Sequence, residues 1–190
     1  MDLGIKFPKL ESNNNPKDID PFTVFGLFNK GISIANRIRI IKGIAAEFGI
    51  TAPIPDNFDG IPVLNNLNAA FYRLQEGHPD IDNLWNLFES ALAYADNSSE
   101  IHRQSFIKCY DIVRKQLGIR WNITMGLYWI RPYHYLSLDS LNRSFISDPK
   151  KMSPDFVAKV KPMLNKVPLA EEYLEINKLC KDTLDSEKYK

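Results

Sequence analysis

The sequence predicts a mainly α-helical fold, a single domain of about seven to eight helices with at most a short β element, with α+β as the alternative. Three observations predict it. Apolar residues recur at three- and four-residue spacings through most of the chain, the period that lines one face of a helix. Ser, Asp or Pro stands where those stretches begin, and Gly or Pro where several end, which is the punctuation of helix termini. Only Tyr133–Leu138 alternates as a short strand or extended turn would.

Residues 1–19 are polar and Asn-rich and read as a linker or truncated N-terminal extension, 20–184 as the domain, and 185–190 as a frayed tail. The first strong helix is expected from Ser33, a capping residue, to Phe48, with Gly49 as its stop. Its inward stripe is expected to be Ile34, Ile38, Ile41, Ala45 and Phe48. Pro53, Pro55, Gly60 and Pro62 break any helix over Thr51–Asn68. An extended piece at Ile61–Leu64 and a helix over Ala69–Leu74 are expected near there. Pro79–Ala95 is the clearest helix, with Ile81, Leu84, Trp85, Phe88, Leu92 and Ala95 inward and Asp80 and Asp82 favouring its dipole. Burial of Trp85 implies a loss of ~3–5 kcal/mol for Trp85→Ala. A helix from Ser98 or Ser99 to Leu117 should bury Phe106, Tyr110, Val113 and Leu117 before Gly118. Ile123–Trp129 reads as a short buried helix stopped by Arg131-Pro132. Asp139 or Ser140 can cap a short helix through Phe145. Ser153–Leu164 and Leu169–Leu184 complete the set.

At 190 residues and 44% hydrophobic, the chain can bury on the order of 70% of its unfolded surface. The net charge of +1 exerts no global pull on nucleic acid or membrane. Its distribution is uneven. Glu76–Glu100 holds six acids and no Lys or Arg, whereas Ile101–Arg143 holds seven basic residues against two acids. That pattern fits one acidic and one basic face, or two oppositely charged helices facing each other. Cys109 and Cys180 have no metal spacing and read as reduced, buried thiols of a cytoplasmic protein. No apolar run approaches the ~20 residues of a membrane span, and the N-terminus is too polar for a signal peptide.

Motifs that carry chemistry are missing. Gly26–Gly31 and Gly43–Gly49 lack the lysine and hydroxyl of a phosphate-binding P-loop. His78, His102 and His134 lack zinc spacing. No cofactor, metal or catalytic set is therefore expected. Asp139 is the one carboxylate open to a sharper reading, as the acid of a base-processing enzyme; pairing with an Arg is the simpler role.

Gly118–Phe145 stands out, with two Trp, three Tyr, one His and three Arg in one stretch. Aromatics beside guanidinium groups form either a stacking and phosphate-gripping surface or a core cross-linked by Arg. On the first reading the nucleic-acid-binding candidates are Arg103, Lys108, Arg114, Lys115, Arg120, Trp121, Arg131, Tyr133, Tyr135 and Arg143, with Tyr128 and Trp129 as further stacking rings. Arg120→Ala and Arg131→Ala should then weaken DNA binding without unfolding the domain.

Four phrases extend this reading: Asp20-Pro-Phe-Thr-Val-Phe-Gly-Leu-Phe-Asn-Lys-Gly31, Phe58-Asp-Gly-Ile-Pro-Val-Leu-Asn-Asn66, Asp80-Ile-Asp-Asn-Leu-Trp-Asn-Leu-Phe-Glu89, and Trp121-Asn-Ile-Thr-Met-Gly-Leu-Tyr-Trp-Ile-Arg-Pro132 running on to Leu138-Asp-Ser-Leu-Asn-Arg143. Together they resemble the region preceding the AAA+ module in McrB-like proteins, the NTPase subunits of modification-dependent restriction systems. The resemblance spans about Asp20 to Tyr173. It implies a piece of a larger protein whose motor and nuclease partner lie elsewhere, and a role in DNA recognition. It assigns no binding residue by position. A protein-interaction or scaffold domain, docking on the AAA+ ring or a partner subunit, is the alternative.

Overall fold

The structure, a computed structural model, describes residues 18–28, 32–59, 71 and 80–186. Its elements in chain order are α1 (Pro21–Phe28), α2 (Ile34–Glu47), α3 (Asp80–Asp96), α4 (Glu100–Val113), α5 (Asn122–Ile130), α6 (Ser140–Ile146), α7 (Pro154–Val160), a 3-10 turn (Lys161–Leu164) and α8 (Ala170–Ser186). No strand occurs among the described residues, so the fold is mainly α. The expected extended piece at Ile61–Leu64, most of the helix over Ala69–Leu74, and nearly all of both terminal segments lie outside the described residues.

Capping explains most boundaries. Ser33, Ser99, Asp139 and Ser153 each accept a hydrogen bond from a backbone N–H in the first turn of their helix, satisfying donors that have no partner within it. Gly49 and Gly118 follow α2 and α4 with φ of 63° and 94°, a conformation that costs a glycine little. α7 gives way to the 3-10 turn at Lys161 because Pro162 has no N–H and its ring crowds the carbonyl of Ala158. Asp20 is fully buried at the head of α1, where its carboxylate accepts from the Thr23 N–H at 3.0 Å and from the Thr23 hydroxyl. Thr23 Oγ1 in turn accepts from the Phe71 N–H at 2.9 Å.

Two aromatic clusters organise the core. In the first, Phe22 of α1 meets Phe71 at 5.7 Å and Phe88 of α3 at 6.0 Å, and Phe71 meets Trp129 of α5 edge-on at 6.1 Å. α1 and α5 approach so closely that a Cβ on Gly126 would lie 2.7 Å from Phe22 Cδ1. The second is a ladder through α3, α4, the turn before α6, and α8. Tyr94 stacks on Phe106 (5.8 Å), Phe106 on Tyr135 (5.4 Å), Tyr135 on Tyr173 (6.4 Å) and Tyr173 on Tyr110 (5.4 Å).

The structure moves several faces from their expected positions. In α2 the buried residues are Ile40, Gly43 and Ala45, while Ile34 is 54% and Phe48 76% exposed. Isoleucines at 34, 38, 40, 41 and 44 nearly encircle that helix, so period alone could not choose the inward side. The seam of α3 runs through Leu84, Leu87, Ala91 and Ala95. Trp85 sits at its margin, 41% exposed, with Nε1–H donating to the Ile19 carbonyl at 3.2 Å. Leu117 is exposed because α4 ends at Val113. Leu136 and Leu138 are extended, but their backbone bonds go to side chains. Leu136 N–H donates to Asn177 Oδ1 at 2.6 Å, Leu138 N–H donates to Thr124 Oγ1 at 3.0 Å, and the Leu136 carbonyl accepts from the Tyr173 hydroxyl at 2.8 Å.

Candidate nucleic-acid interface

The site builds from the start of α5 and the whole of α6. Trp121 precedes α5 in helical conformation. Its carbonyl accepts from the Thr124 hydroxyl at 2.7 Å, and the Arg120 N–H donates to Asn122 Oδ1 at 2.6 Å. These bonds hold the Trp121 backbone and leave its ring half-exposed. Across from it, Asp139 caps α6 by accepting from the Leu141 and Asn142 N–H groups, both at 2.9 Å. The cap sets the register that lets Arg143 reach back to the Leu138 carbonyl at 2.5 Å. The Arg143 guanidinium thereby lies 4.0 Å above the Trp121 ring, a cation–π contact. Desolvation lowers the Arg143 pKa and the charge of Asp139 opposes it; an arginine remains cationic under any ordinary condition.

A second pair stands on another side of α6. The Lys151 ammonium lies 5.3 Å from the ring centre of Phe145, which is 44% exposed. Arg143 and Phe145 are two residues apart on α6, so the two pairs flank opposite sides of a helix about 10 Å across. Arg120 and Lys150 are exposed next to Trp121 and Lys151 in the sequence, and neither has an acidic partner among the described residues.

The structure brings only some of the predicted residues together. Trp121 and Arg143 meet, and Arg120 is exposed next to Trp121 in the chain. Arg131 and Tyr133 lie at the other end of α5, a nine-residue helix and so about 13 Å long. Arg131 is a structural strut: its Nε and Nη2 donate to Asp96 Oδ1, each at 3.2 Å, and its Nη1 donates to the Ile130 carbonyl at 2.9 Å. Tyr133 is 95% exposed in the turn. Tyr135 must be removed from the stacking set, because it is 1% exposed and its hydroxyl donates to the Ala91 carbonyl at 2.8 Å. Burial raises its pKa. Tyr128 and Trp129 are half-buried. On α4, Arg103 pairs with Glu171 and Glu100, and Arg114 with Asp111 at 2.8 Å. Lys108 and Lys115 are exposed, away from the α6 patch in sequence. Cys180 is buried, its thiol pushed up to about 12, whereas Cys109 is only half-buried.

Sequence reasoning missed the cations beyond Arg143. Lys150, Lys151, Lys159, Lys161 and Lys166 are all exposed, with Asp148 and Asp155 the only acids between Arg143 and Lys166. The signal was available as a charge run that begins where the aromatic segment ends.

A profile of the family described as Domain of unknown function (DUF8425) matches residues 7–190. The chain belongs to this family. No curated protein and no solved structure matches it. The DUF8425 match covers nearly the whole chain, so the α5–α6 patch and the core beneath it fall within one family unit. Among the described residues, no group of three His, Cys, Asp or Glu could hold a metal ion, and no helix is long and apolar enough to cross a membrane.

Proposed function

We propose that this chain is the non-catalytic DNA-recognition region preceding the AAA+ motor of a McrB-like restriction NTPase, working in the cytoplasm with no cofactor of its own. The observation that carries the DNA reading is the Arg143 guanidinium 4.0 Å over the part-exposed Trp121 ring at the start of α5. A guanidinium held over an indole offers a cation to a phosphate beside an aromatic surface for an unpaired base. Arg120, Lys150 and Lys151 add phosphate contacts around it. Asp139 supports the non-catalytic reading over a base-processing enzyme, since its carboxylate is occupied by the α6 cap and by Ser137 and Asn142 side-chain bonds.

A second reading, docking on the AAA+ ring or a partner subunit, draws on α2. Ile34, Ile44, Phe48 and Ile50 are 43–76% exposed there, and exposed apolar groups favour a protein partner. The two readings separate by salt. Fluorescence anisotropy against labelled duplexes, unmodified and cytosine-methylated, should show binding that weakens steeply with salt. Trp121→Ala and Arg143→Ala should each reduce it while the far-ultraviolet circular dichroism stays unchanged. No binding to either duplex at low salt would sink the DNA reading in favour of docking.

A further inference from the structure

α3 and α4 form an antiparallel hairpin that packs together more extensively than any other pair of elements. On its exposed side a groove of about 570 Å³ runs between them. Asn83, Asn86 and Glu89 line one wall and Ser105 and Lys108 the other. Ser90, Ala93 and Cys109 line it too, and their short side chains are why the groove exists: larger residues at those positions would fill it.

The two flanks of α4 differ in how their polar groups are satisfied. On one flank Arg103 pairs with Glu171 and Glu100, Gln104 with Glu100, and Arg114 with Asp111. On the groove flank, Asn83, Asn86, Glu89, Ser105 and Lys108 have no side-chain partner among the described residues. Five polar side chains therefore converge on one concavity with no bonding partner among the described residues.

We propose that this groove binds an extended polypeptide segment carrying both a basic and an acidic side chain. A carboxamide offers donors and an acceptor together, which matches the N–H and C=O of a peptide main chain. From Asn83 to Ala93 the helix rises ~15 Å, the length of four or five extended residues at ~3.3 Å each. Asn86 and Ser90 are separated by ~6 Å along the axis, close to the ~6.6 Å two-residue repeat of an extended chain; the Ser90 hydroxyl donates to the Leu87 carbonyl at 3.0 Å and so meets the segment as an acceptor. Successive main-chain groups on one side of such a segment thus meet successive polar side chains of α3. Glu89 and Lys108 stand on opposite walls. They select a basic and an acidic side chain that project to opposite sides of the segment, and so select its direction. This site is separate from the α5–α6 patch and does not depend on the DNA reading.

The test is a nuclear magnetic resonance titration of the isotope-labelled full chain with a capped pentapeptide of alanines bearing lysine second and glutamate third, neighbours whose side chains project to opposite sides of an extended chain. A capped alanine pentapeptide is the control. The side-chain amide signals of Asn83 and Asn86 should shift saturably below about 5 mM, a range suited to a short, weak segment. The charged peptide should bind at least several-fold tighter than the control, and Glu89→Gln with Lys108→Gln should abolish that difference. Both substitutions are at exposed positions, so the fold should persist, as a superimposable spectrum away from the groove would verify. No saturable shift, or shifts confined to other surfaces, would overturn the proposal. Equal affinity for both peptides would overturn its mixed-charge specificity.

Discussion

At Gly126 the absence of a side chain is a packing requirement. The nearest atoms to an added Cβ are Phe22 Cδ1 at 2.7 Å and Phe71 Cε1 at 3.3 Å, and both rings are fully buried. Gly126→Ala must push α1 and α5 apart, and we expect a loss of about 1–3 kcal/mol, measured by urea unfolding. Asp20 gives a pH prediction. Its carboxyl is raised above the ordinary value of 3.8, chiefly by desolvation, with the Thr23 bonds opposing. The folded protein therefore holds that proton more tightly than the unfolded chain. The associated stability is fully present below the unfolded pKa and is lost as pH rises through the raised folded value. Asp20→Asn keeps a capping side chain and should flatten this part of the stability profile. Parallel profiles for the two proteins across acid pH would show that Asp20 is not its source.

Among the elements, α3 was foreseen in span and largely in face: Leu84 and Ala95 are buried and Ile81, Phe88 and Leu92 pack against the core, but the seam is centred on Leu87 and Ala91. Its span came out within a residue or two, but Trp85 lies at the edge of the buried seam, so the ~3–5 kcal/mol expected of a buried Trp must be lowered. With 41% of it exposed, we expect Trp85→Ala to cost about 1–2 kcal/mol, read from the thermal midpoint. α8 is fastened by a contact no periodicity could reveal: Asp111 Oδ1 accepts from the Ala170 N–H at 3.1 Å while also pairing with Arg114. Asp111→Ala leaves that helix end and Arg114 unpaired together. A loss of about 1–3 kcal/mol is expected, with faster amide exchange in the first turn of α8 as the specific sign.

On the scale of the whole molecule, the basic residues fall into two groups. Arg103, Arg114 and Arg131 are held in ion pairs, whereas Arg120 and Lys150 have no such pair among the described residues. A domain gripping DNA with three or four phosphate contacts should lose roughly 40- to 150-fold in affinity between about 50 and about 200 mM salt. Neutralising Arg120 and Lys150 together should lower the slope by about two contacts, whereas Arg131→Ala should show mainly as lost stability. A slope unchanged by the double variant would move the interface elsewhere.

The helix content and most helix starts were legible in the sequence, because caps, breakers and the 3.6-residue period are local properties. Ser33, Ser99, Asp139 and Ser153 each sit where their helix needs them. What only the tertiary structure decided is which of several apolar faces turned inward and which charges found partners. Both depend on residues far apart in the chain. Asp96 meets Arg131, Glu171 meets Arg103, and the side chains of Thr124 and Asn177 take the backbone bonds that a strand neighbour would otherwise supply. Tyr133 and Tyr135, two residues apart in one turn, end at 95% and 1% exposure. Their local chemistry is the same; the packing of α3, α4 and α8 around one of them is not.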